Sequence, residues 1–296
     1  MRVFVTGASG QLGSFLLDQL VDRHDVLGVD LVSPRFEAHR DLVERADITN
    51  RVEMERLVAG SDVVVHCAAQ ISVDWSNLNP LGDMDANLGG TASVLEAARK
   101  AKARRFIFIS SAATYGDPIA IPVREDHPQN PLSFYGTSKV CSEQYVREYS
   151  RMFGMEHAIV RPFNFYSDRA DPSSSYSGVM TKFVGWAKQG EPLVIEGDGG
   201  QTRDFIHASD VARMVVRLVE SDATNMTFNC GSGKETSILK LAETVVKVSG
   251  GKSPIRHVEA RRGDIRRSVA DVNLARDKIC FEARVGLETG IATFFS

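Results

Sequence analysis

Val5-Thr-Gly7-Ala-Ser-Gly10-Gln-Leu-Gly13, close to the amino terminus, is the stretch that decides the fold. It follows an apolar run at Arg2–Val5 and opens a segment whose apolar residues recur at helical spacing. Glycines between a strand and a helix let the turn tighten and let backbone N–H groups approach a pyrophosphate at the helix amino terminus. The motif therefore predicts a dinucleotide site, with a tight strand–helix turn that binds nothing as the alternative. The predicted contacts are Gly7, Gly10, Gln11, Leu12 and Gly13.

Short apolar runs alternate with helical patterns through the first half of the chain. The predicted strands are Arg2–Val5, Val26–Val29, Val63–His66, Phe106–Ile109 and Ala158–Val160. Alternation of this kind favours a parallel sheet with helices on both faces. We predict an α/β fold, with a Rossmann-type doubly wound parallel sheet in residues 1–166, to which later segments return. A smaller α/β substrate-binding region is predicted in residues 167–296.

The pattern changes after Arg161. Ser, Asp and Pro crowd Asp168–Ser177, which predicts an exposed loop. Periodicity beyond it predicts further helices and short strands. The helices are Val179–Lys188, Ser209–Glu220 and Ile238–Val248, and the strands are Leu193–Ile195 and Met226–Asn229.

Composition narrows the class of protein. The 296 residues carry Lys+Arg 35 against Asp+Glu 38, so there is no basic excess of the kind that binds nucleic acid or an anionic membrane. No apolar run approaches the roughly 18 residues of a membrane span. Met1–Val5 leads straight into the glycine loop, unlike a targeting peptide. The four cysteines are scattered, which indicates reduced thiols and no metal site. These features predict a cytoplasmic globular enzyme.

Two acids follow predicted strands. Asp30 ends the second strand, where a carboxylate can accept hydrogen bonds from an adenosine ribose and repels a 2′-phosphate. NAD is therefore favoured over NADP, although the nearby Arg35 keeps NADP as the alternative. Asp47 precedes Ile48 at a turn where it could contact adenine. The alternative is that Asp47 caps a helix over Asn50–Leu57.

Tyr135 and Lys139 are four residues apart in a helical pattern, so both face one way. Ser110-Ser111 ends a strong strand, the position from which parallel-sheet enzymes present catalytic groups. A tyrosine of ordinary pKa needs roughly 4 kcal/mol of help to act as a base near neutral pH. One cation about 4 Å away supplies energy of that order, so Lys139, helped by the positive nicotinamide ring of the dinucleotide, could make Tyr135 a base. Ser111, Tyr135 and Lys139 are the predicted catalytic residues; a half-buried Tyr beside a solvated Lys is the alternative.

Together these motifs resemble the extended short-chain dehydrogenases/reductases, in particular their nucleotide-sugar epimerase/dehydratase group. The resemblance covers nearly the whole chain and rests on several motifs in family order. Besides the glycine loop they are His66-Cys67-Ala68-Ala69, Asn87-x-x-Gly90-Thr91, Ser110-Ser111-Ala-Ala-Thr-Tyr115-Gly116, Tyr135-Gly-x-Ser-Lys139, Arg161-Pro162-Phe163-Asn164, Gly197-Asp-Gly-Gly-Gln-Thr-Arg203-Asp204-Phe205 and Arg261-Arg-Gly263-Asp264. After Asn164 the family usually has a glycine, whereas this chain reads Phe165-Tyr166-Ser167, so the loop there is expected to differ.

The resemblance implies roles for individual residues. Asn164, Arg203 and Arg261 would clamp the substrate diphosphate, since the planar Arg fork pairs with phosphate oxygens. Asp264 would contact the nucleotide ribose or fix Arg261. The other implied substrate contacts are Ser111, Tyr135, Val194 and Ser268. The implied NAD contacts beyond the glycine loop are Asp30, Asp47, Ile48, Ala68, Ala69, Asn87, Tyr135, Lys139 and Pro162.

Some of these residues have structural alternatives. Asn164 could instead cap a turn, and Arg203 could pair with Asp204 or Asp210. Ser268 stands four residues after Asp264, where family members restricted to glucose and galactose carry a large Tyr; it could instead only pack its turn. The histidines predicted to be structural are His66 and His207.

The residues after Ser111 separate the activities of the family. Dehydratases of the group carry an Asp–Glu pair there, and decarboxylases keep an acid nearby, whereas Ala112 and Ala113 cannot move a proton. The resemblance therefore implies NAD-dependent 4-epimerisation of a UDP-sugar of the glucose/galactose type through a 4-keto intermediate, with N-acetylhexosamine forms admitted by Ser268. A 4-keto-sugar reductase, a dehydratase and a non-catalytic NAD-binding regulatory protein are the alternatives. It also implies a homodimer through the helices around Leu88–Ala98 and Tyr135–Tyr149.

Overall fold

A central sheet carries the predicted strands. A computed structural model describes residues 1–170, 178–261 and 263–296. The strands of the sheet are β1 (Arg2–Thr6), β2 (Asp25–Asp30), β3 (Val43–Arg45), β4 (Val63–His66), β5 (Arg105–Ile109), β6 (Glu156–Pro162) and β10 (Met226–Cys230). They form a seven-stranded parallel sheet in the order β10-β6-β5-β4-β1-β2-β3. Every residue of β4 and β5 is buried, as expected where helices cover both faces.

Helices pack on both faces of this sheet. One face carries α1 (Gln11–Leu20) and α8 (Ala208–Glu220), which pack on each other. The other face carries α2 (Arg51–Val58), α5 (Gly90–Lys100) and α6 (Phe134–Phe153). Two short helices, α3 (Val73–Leu78) and α4 (Pro80–Asp83), lead into a π-helical turn, Met84–Gly89, that continues directly into α5. The predicted doubly wound α/β fold is confirmed.

A smaller region with its own apolar core lies beyond β6. Its sheets are β11 (Glu235–Ser237), β9 (Thr202–His207) and β7 (Asn164–Tyr166), in that order, and a parallel pair of β8 (Leu193–Glu196) and β12 (Ile255–Val258). Its helices include α7 (Val179–Gln189), α9 (Ile238–Val248) and α11 (Leu287–Ala292), while α10 (Asn273–Ile279) packs on β10. Short 3₁₀ turns occur at Glu37–Leu42 and Ala112–Thr114.

The predicted strands are all present, most of them with ends extended by one or two residues. The Met226–Asn229 strand, although far along the chain, pairs with β6 at the edge of the large sheet, so the chain crosses back to it. Of the predicted loop at Asp168–Ser177, residues 168–170 form a turn, and residues 171–177 lie outside the described residues. In the part of the chain that is described, no helix is both long and apolar enough to cross a membrane.

Candidate active site

The glycine loop joins β1 to α1 as predicted, and its three glycines differ in what they do. Gly7 has φ +68, and a Cβ there would lie 2.7 Å from the backbone nitrogen of Ala68. A Cβ on Gly13 would lie 2.1 Å from the carbonyl oxygen of Gly7. Gly10 is exposed, and a Cβ there would approach only that same oxygen, at 3.2 Å. Gly7 and Gly13 are thus required by the turn itself, whereas Gly10 leaves the amino terminus of α1 open to a ligand, which fits a dinucleotide pyrophosphate.

Asp30 closes the loop from the end of β2. Its Oδ2 accepts a hydrogen bond from the Ser9 backbone N–H at 2.9 Å, and its Oδ1 accepts one from the Val32 N–H at 3.2 Å. The carboxylate therefore lies beside the glycine loop, as a ribose contact requires. Arg35, the residue behind the NADP alternative, donates from Nη1 to the carbonyl of Arg169 at 3.4 Å.

Asp47 and Ile48 follow β3. The Asp47 carboxylate accepts from the Thr49 N–H at 2.9 Å and from the Thr49 hydroxyl at 2.8 Å. The helix cap is Asn50, whose side chain accepts from the Glu53 N–H. The alternative that Asp47 caps this helix is therefore wrong: α2 begins at Arg51, so the side chain in capping position belongs to Asn50.

Ala68 and Ala69 follow β4, next to the glycine loop. The Ala68 N–H donates to the Thr6 hydroxyl at 3.1 Å, and both alanines are half-buried. His66 is buried between the hydroxyls of Thr6, at 2.7 Å, and Thr91, at 3.0 Å. Burial lowers the pKa of His66 to about 3, so the ring is neutral and its role is structural, as predicted. His207 is structural too, since its Nδ1 accepts from the Ser209 N–H at the start of α8.

The predicted catalytic residues come together at the ends of β5 and the start of α6. Ser133 caps α6 by accepting from the Gly136 N–H, and a Cβ on Gly136 would lie 2.7 Å from the Ala113 carbonyl oxygen. This close approach brings Tyr135 near Ser111, whose hydroxyl acts to lower the Tyr135 pKa. One turn on, Lys139 is buried, and its Nζ donates to the Ile109 carbonyl at 3.0 Å.

Burial and nearby charges shift the pKa values of both Tyr135 and Lys139. Burial raises the pKa of Tyr135, the hydrogen bond from Ser111 opposes this, and the negative charge of Asp83 adds to it. Burial also lowers the pKa of Lys139 to about 8. The Lys139 Nζ lies 5.9 Å from the Tyr135 ring centre, and it is bonded to a backbone carbonyl. Within the protein alone, burial is therefore the largest influence on Tyr135 and disfavours its phenolate. That Lys139, helped by the positive nicotinamide ring of NAD, makes Tyr135 a base stays a prediction.

Arg203 and Asp264, two of the predicted substrate contacts, pair with each other. Arg203 Nη2 lies 2.5 Å from Asp264 Oδ1, and its Nη1 donates to the Ile265 carbonyl at 2.6 Å. The alternative that Arg203 pairs with Asp204 or Asp210 is wrong, because both acids are buried with other partners. Asp204 accepts from the Ser232, Gly233 and Ala270 backbones, and Asp210 pairs with Arg213.

The other predicted substrate residues lie on separate elements. Arg261 Nη2 lies 3.2 Å from Asp74 Oδ1, so the idea that Asp264 fixes Arg261 is wrong; Asp264 is bound by Arg203. Asn164 begins β7 and is exposed, and it has no side-chain hydrogen bond within residues 1–170, 178–261 and 263–296, which is not the bonding of a turn cap. Three more residues are half-buried or buried: Val194 on β8, Ser268 before Val269, and Pro162 at the end of β6.

Two buried acids near the site were missed from the sequence. Glu143 lies one turn after Lys139 and accepts from Nε and Nη2 of Arg161, at 2.8 and 2.6 Å. Burial acts to raise the pKa of Glu143, but Arg161 outweighs it and holds that pKa below its usual value. Asp83, the last residue of α4, is 1% exposed and accepts from Asn87 Nδ2 at 2.9 Å. Both acids stand four residues from a motif residue, a helical spacing that could have revealed them.

Comparison with known proteins gives one consistent family. The family model described as "NAD dependent epimerase/dehydratase family" matches residues 3–231. A relative named UDP-glucose 4-epimerase, from Mycolicibacterium smegmatis, is 36% identical over 99% of this chain and 96% of its own length. The solved structure of UDP-glucose 4-epimerase with UDP-glucose from Thermotoga maritima has a TM-score of 0.94 at 30% identity, covering 100% of this chain and 98% of that one.

A second solved structure is similar to the same extent. It is a UDP-N-acetylglucosamine 4-epimerase from Methanobrevibacter ruminantium, with a TM-score of 0.92 at 30% identity, covering 99% of this chain and 98% of that one. Both likenesses span the glycine loop and the smaller region alike, since they cover almost all of the chain. The resemblance read from the motifs is confirmed, and the chain belongs to the NAD-dependent epimerase/dehydratase family.

Proposed function

We propose that the protein is an NAD-dependent 4-epimerase of UDP-sugars that interconverts UDP-glucose and UDP-galactose. The observation that carries the proposal is the assembly of Ser111, Tyr135 and Lys139 at the end of β5 and the start of α6, with alanines in the 3₁₀ turn after Ser111. The site therefore has a base that can take a hydroxyl proton. It has no acid after Ser111 that could catalyse the elimination of water from the sugar. The relatives named UDP-glucose 4-epimerase support the same assignment.

The residues divide the work of the reaction. Tyr135 takes the proton of the sugar 4-hydroxyl and returns it, and Ser111 orients the shared oxygen. Lys139, which is buried, stabilises the phenolate by its charge. When bound, NAD supplies the acceptor and donor of hydride and a positive ring charge that assists Tyr135. Arg203, Arg261 and Asn164 hold the diphosphate while the sugar presents its other face. There is no net redox change, so bound NAD is not consumed.

The test is turnover of UDP-galactose by the purified protein, followed by chromatography of the products. We expect UDP-glucose to form with no net absorbance change from NADH and without added cofactor. Continuous consumption of reduced cofactor would instead identify a 4-keto-sugar reductase, and loss of water from the sugar would identify a dehydratase. Binding of NAD with no turnover of any UDP-sugar would leave a regulatory protein.

Ser268 is the proposed determinant of substrate breadth. Its side chain is small and half-buried, three residues after Ile265, whose carbonyl binds Arg203. A small side chain at the position of a pocket-lining tyrosine leaves room for an N-acetyl group at the sugar C2. The similarity to a UDP-N-acetylglucosamine 4-epimerase supports this proposal. We therefore propose that UDP-N-acetylhexosamines are also substrates.

We further propose a cytoplasmic homodimer. The implied surface needs adjustment, because Leu95 and Ala98 are buried in the chain's own core. Exposed apolar groups near these helices include Leu81 on α4, Met84 on the π-turn, and Phe134, Tyr145, Met152 and Phe153 on α6. A second copy would cover these groups in a four-helix arrangement. Light scattering at micromolar concentration should give twice the chain mass, and a monomer would contradict the proposal.

A further inference from the structure

Asp83 is a buried carboxyl that faces the catalytic helix without an ion-pair partner. Its Oδ1 accepts from Gln70 Nε2 at 3.2 Å and from Asn87 Nδ2 at 2.9 Å. Among the described residues, no Arg, Lys or His nitrogen lies within 4.0 Å of its carboxylate. Buried acids are usually neutralised by a nearby cation, so an acid held by two neutral amides and influenced by the Ser138 hydroxyl requires an explanation.

The hydrogen bonds of Asp83 connect it to Gln70, after β4, and through Asn87 to Ser138 and Tyr135 on α6. Asn87 is clamped on the backbone of Gln70: its Oδ1 accepts the Gln70 N–H at 2.8 Å, and its Nδ2 donates to the Gln70 carbonyl at 3.0 Å. Gln70 directly follows the alanines at the end of β4. Asn87 Nδ2 also lies 3.3 Å from the Ser138 hydroxyl, which in turn donates to the Tyr135 carbonyl at 3.0 Å.

The π-helical turn explains how Asp83 reaches this place. Asp83 ends α4 immediately before the Met84–Gly89 turn, which packs against α6. Asp83 and Asn87 are four residues apart, so both side chains point to the same neighbour. π-Turns widen a helix locally and recur at functional sites. Asp83 is thereby fixed beside the segment of α6 that carries Tyr135, Ser138 and Lys139.

The charge of Asp83 acts on both titrating residues of the site. After burial, it is a further cause that raises the pKa of Tyr135, and with Cys67 and Glu143 it opposes the lowering of the Lys139 pKa by burial. Burial raises the pKa of Asp83 itself, and Ser138, Lys139, Asn87 and Gln70 act in the opposite direction, toward its charged form. The other titratable groups near Lys139 are either paired with another residue or held in their neutral form. Glu143 is paired with Arg161 and Arg147, His66 is neutral, and burial raises the pKa of the Cys67 thiol to about 12.

We propose that Asp83 is a positioning residue whose buried negative charge keeps Lys139 protonated and sets the pH range in which the Tyr135–Lys139 pair works. This inference rests on the proposed function, because it concerns the same pair. Gln70 and Asn87 hold the Asp83 carboxylate in place. Because no cation pairs with it directly, its negative charge stabilises the ammonium form of Lys139. Asp83 acts on Lys139 and Tyr135 electrostatically, and the proposal gives it no contact with the sugar.

The test compares Asp83→Asn with the wild-type protein in the pH dependence of kcat. Asparagine keeps the shape and one acceptor but removes the charge. We expect both limbs of the profile, the acid limb of Tyr135 and the alkaline limb of Lys139, to move to lower pH by about half a unit, a threefold change in ionisation constant. Asp85→Asn is the matched control, since Asp85 is exposed two residues further on, and its profile should coincide with the wild type.

A readout independent of turnover separates this inference from the proposed function. Absorbance at 295 nm follows the ionisation of all 6 tyrosines as the pH rises. Subtracting the titration curve of Tyr135→Phe from that of the wild type leaves the contribution of Tyr135. The same difference in an Asp83→Asn background should show a lower pKa for Tyr135, even if no UDP-sugar proves to be a substrate. If Asp83→Asn does not fold, Asp83→Ser, which is smaller and neutral, replaces it in both measurements. The proposal is overturned if Asp83→Asn lowers kcat but leaves both limbs of the pH profile and the Tyr135 titration where they are in the wild type. Asp83 would then have a purely structural role.

Discussion

Arg203 Nη2 and Asp264 Oδ1 lie 2.5 Å apart, although 61 residues separate them along the chain. The Arg203 guanidinium also donates from Nη1 to the carbonyls of Thr202 and Ile265. Its orientation is therefore set by the protein before a ligand arrives, which reduces the entropy lost on binding a diphosphate. Asp264 acts as the counter-charge that holds this arginine.

Replacing Arg203 tests this arrangement. Arg203→Met keeps most of the side-chain length but removes the charge, and we expect the KM for UDP-galactose to rise about tenfold or more, since a charged hydrogen bond is worth roughly 1.5–3 kcal/mol. Steady-state kinetics measures the effect, and the NAD content should stay unchanged. Arg266→Met is the control, because Arg266 is exposed and paired with Asp198. An unaltered KM would remove Arg203 from the diphosphate site.

Tyr135 is expected to be the base. Tyr135→Phe removes only the hydroxyl, so turnover should fall by about a hundredfold or more while NAD remains bound. Tyr145→Phe provides a control on the same helix, as Tyr145 is exposed and away from Ser111. Product chromatography measures turnover, and cofactor absorbance measures NAD content. A near-normal rate in Tyr135→Phe would exclude this tyrosine from the chemistry.

Asp30 is expected to decide between NAD and NADP. Its carboxylate also accepts from the N–H groups of Ser9 and Val32, so Asp30→Asn is a milder change than Asp30→Ala. In both variants the preference for NAD should narrow by about tenfold, the size of one charged hydrogen bond. Titration of the cofactor-free protein with each cofactor gives the two Kd values. Equal Kd values in the unaltered protein would contradict the assignment.

Ser268 is expected to admit the N-acetyl group. Ser268→Tyr should abolish turnover of UDP-N-acetylglucosamine and spare UDP-galactose, because the large ring would fill the space beside C2. Ser268→Ala, which keeps the space open, should leave the ratio of the two activities as in the wild type. Parallel assays of both substrates measure this ratio. If Ser268→Tyr lowers the two activities equally, another residue decides whether the N-acetyl group is admitted.

His66 is expected to make the protein acid-labile. Its folded pKa, about 3, is below its unfolded value, 6.5, so the unfolded chain binds more protons between these values. The contribution of neutral His66 to stability is therefore complete above pH 6.5 and is lost as the pH falls toward 3. Urea midpoints measured across this range should fall less steeply in His66→Gln than in the wild type. His257→Gln, at an exposed position, should follow the wild-type curve.

Local chemistry explains what was predicted correctly. The glycine loop could be recognised because a positive φ at Gly7 and the contact between Gly13 and Gly7 act over a few residues. Tyr135 and Lys139 could be paired because one helical turn fixes their spacing. Likewise, Ser111 could be placed because it follows a strongly apolar strand. Each of these features is determined by neighbours in sequence, so the sequence by itself determined the glycine loop, the spacing of Tyr135 and Lys139, and the class of fold.

The tertiary structure alone decided which side chains meet across the chain. Arg203 pairs with Asp264 rather than with the adjacent Asp204, because β9 turns Asp204 inward to the backbones of Ser232 and Ala270. Asp83 faces the catalytic helix because the π-turn and α6 pack together. Such contacts depend on strand order and helix packing over separations of tens of residues. Hydrophobic periodicity records which face of an element is buried, but not which element covers it.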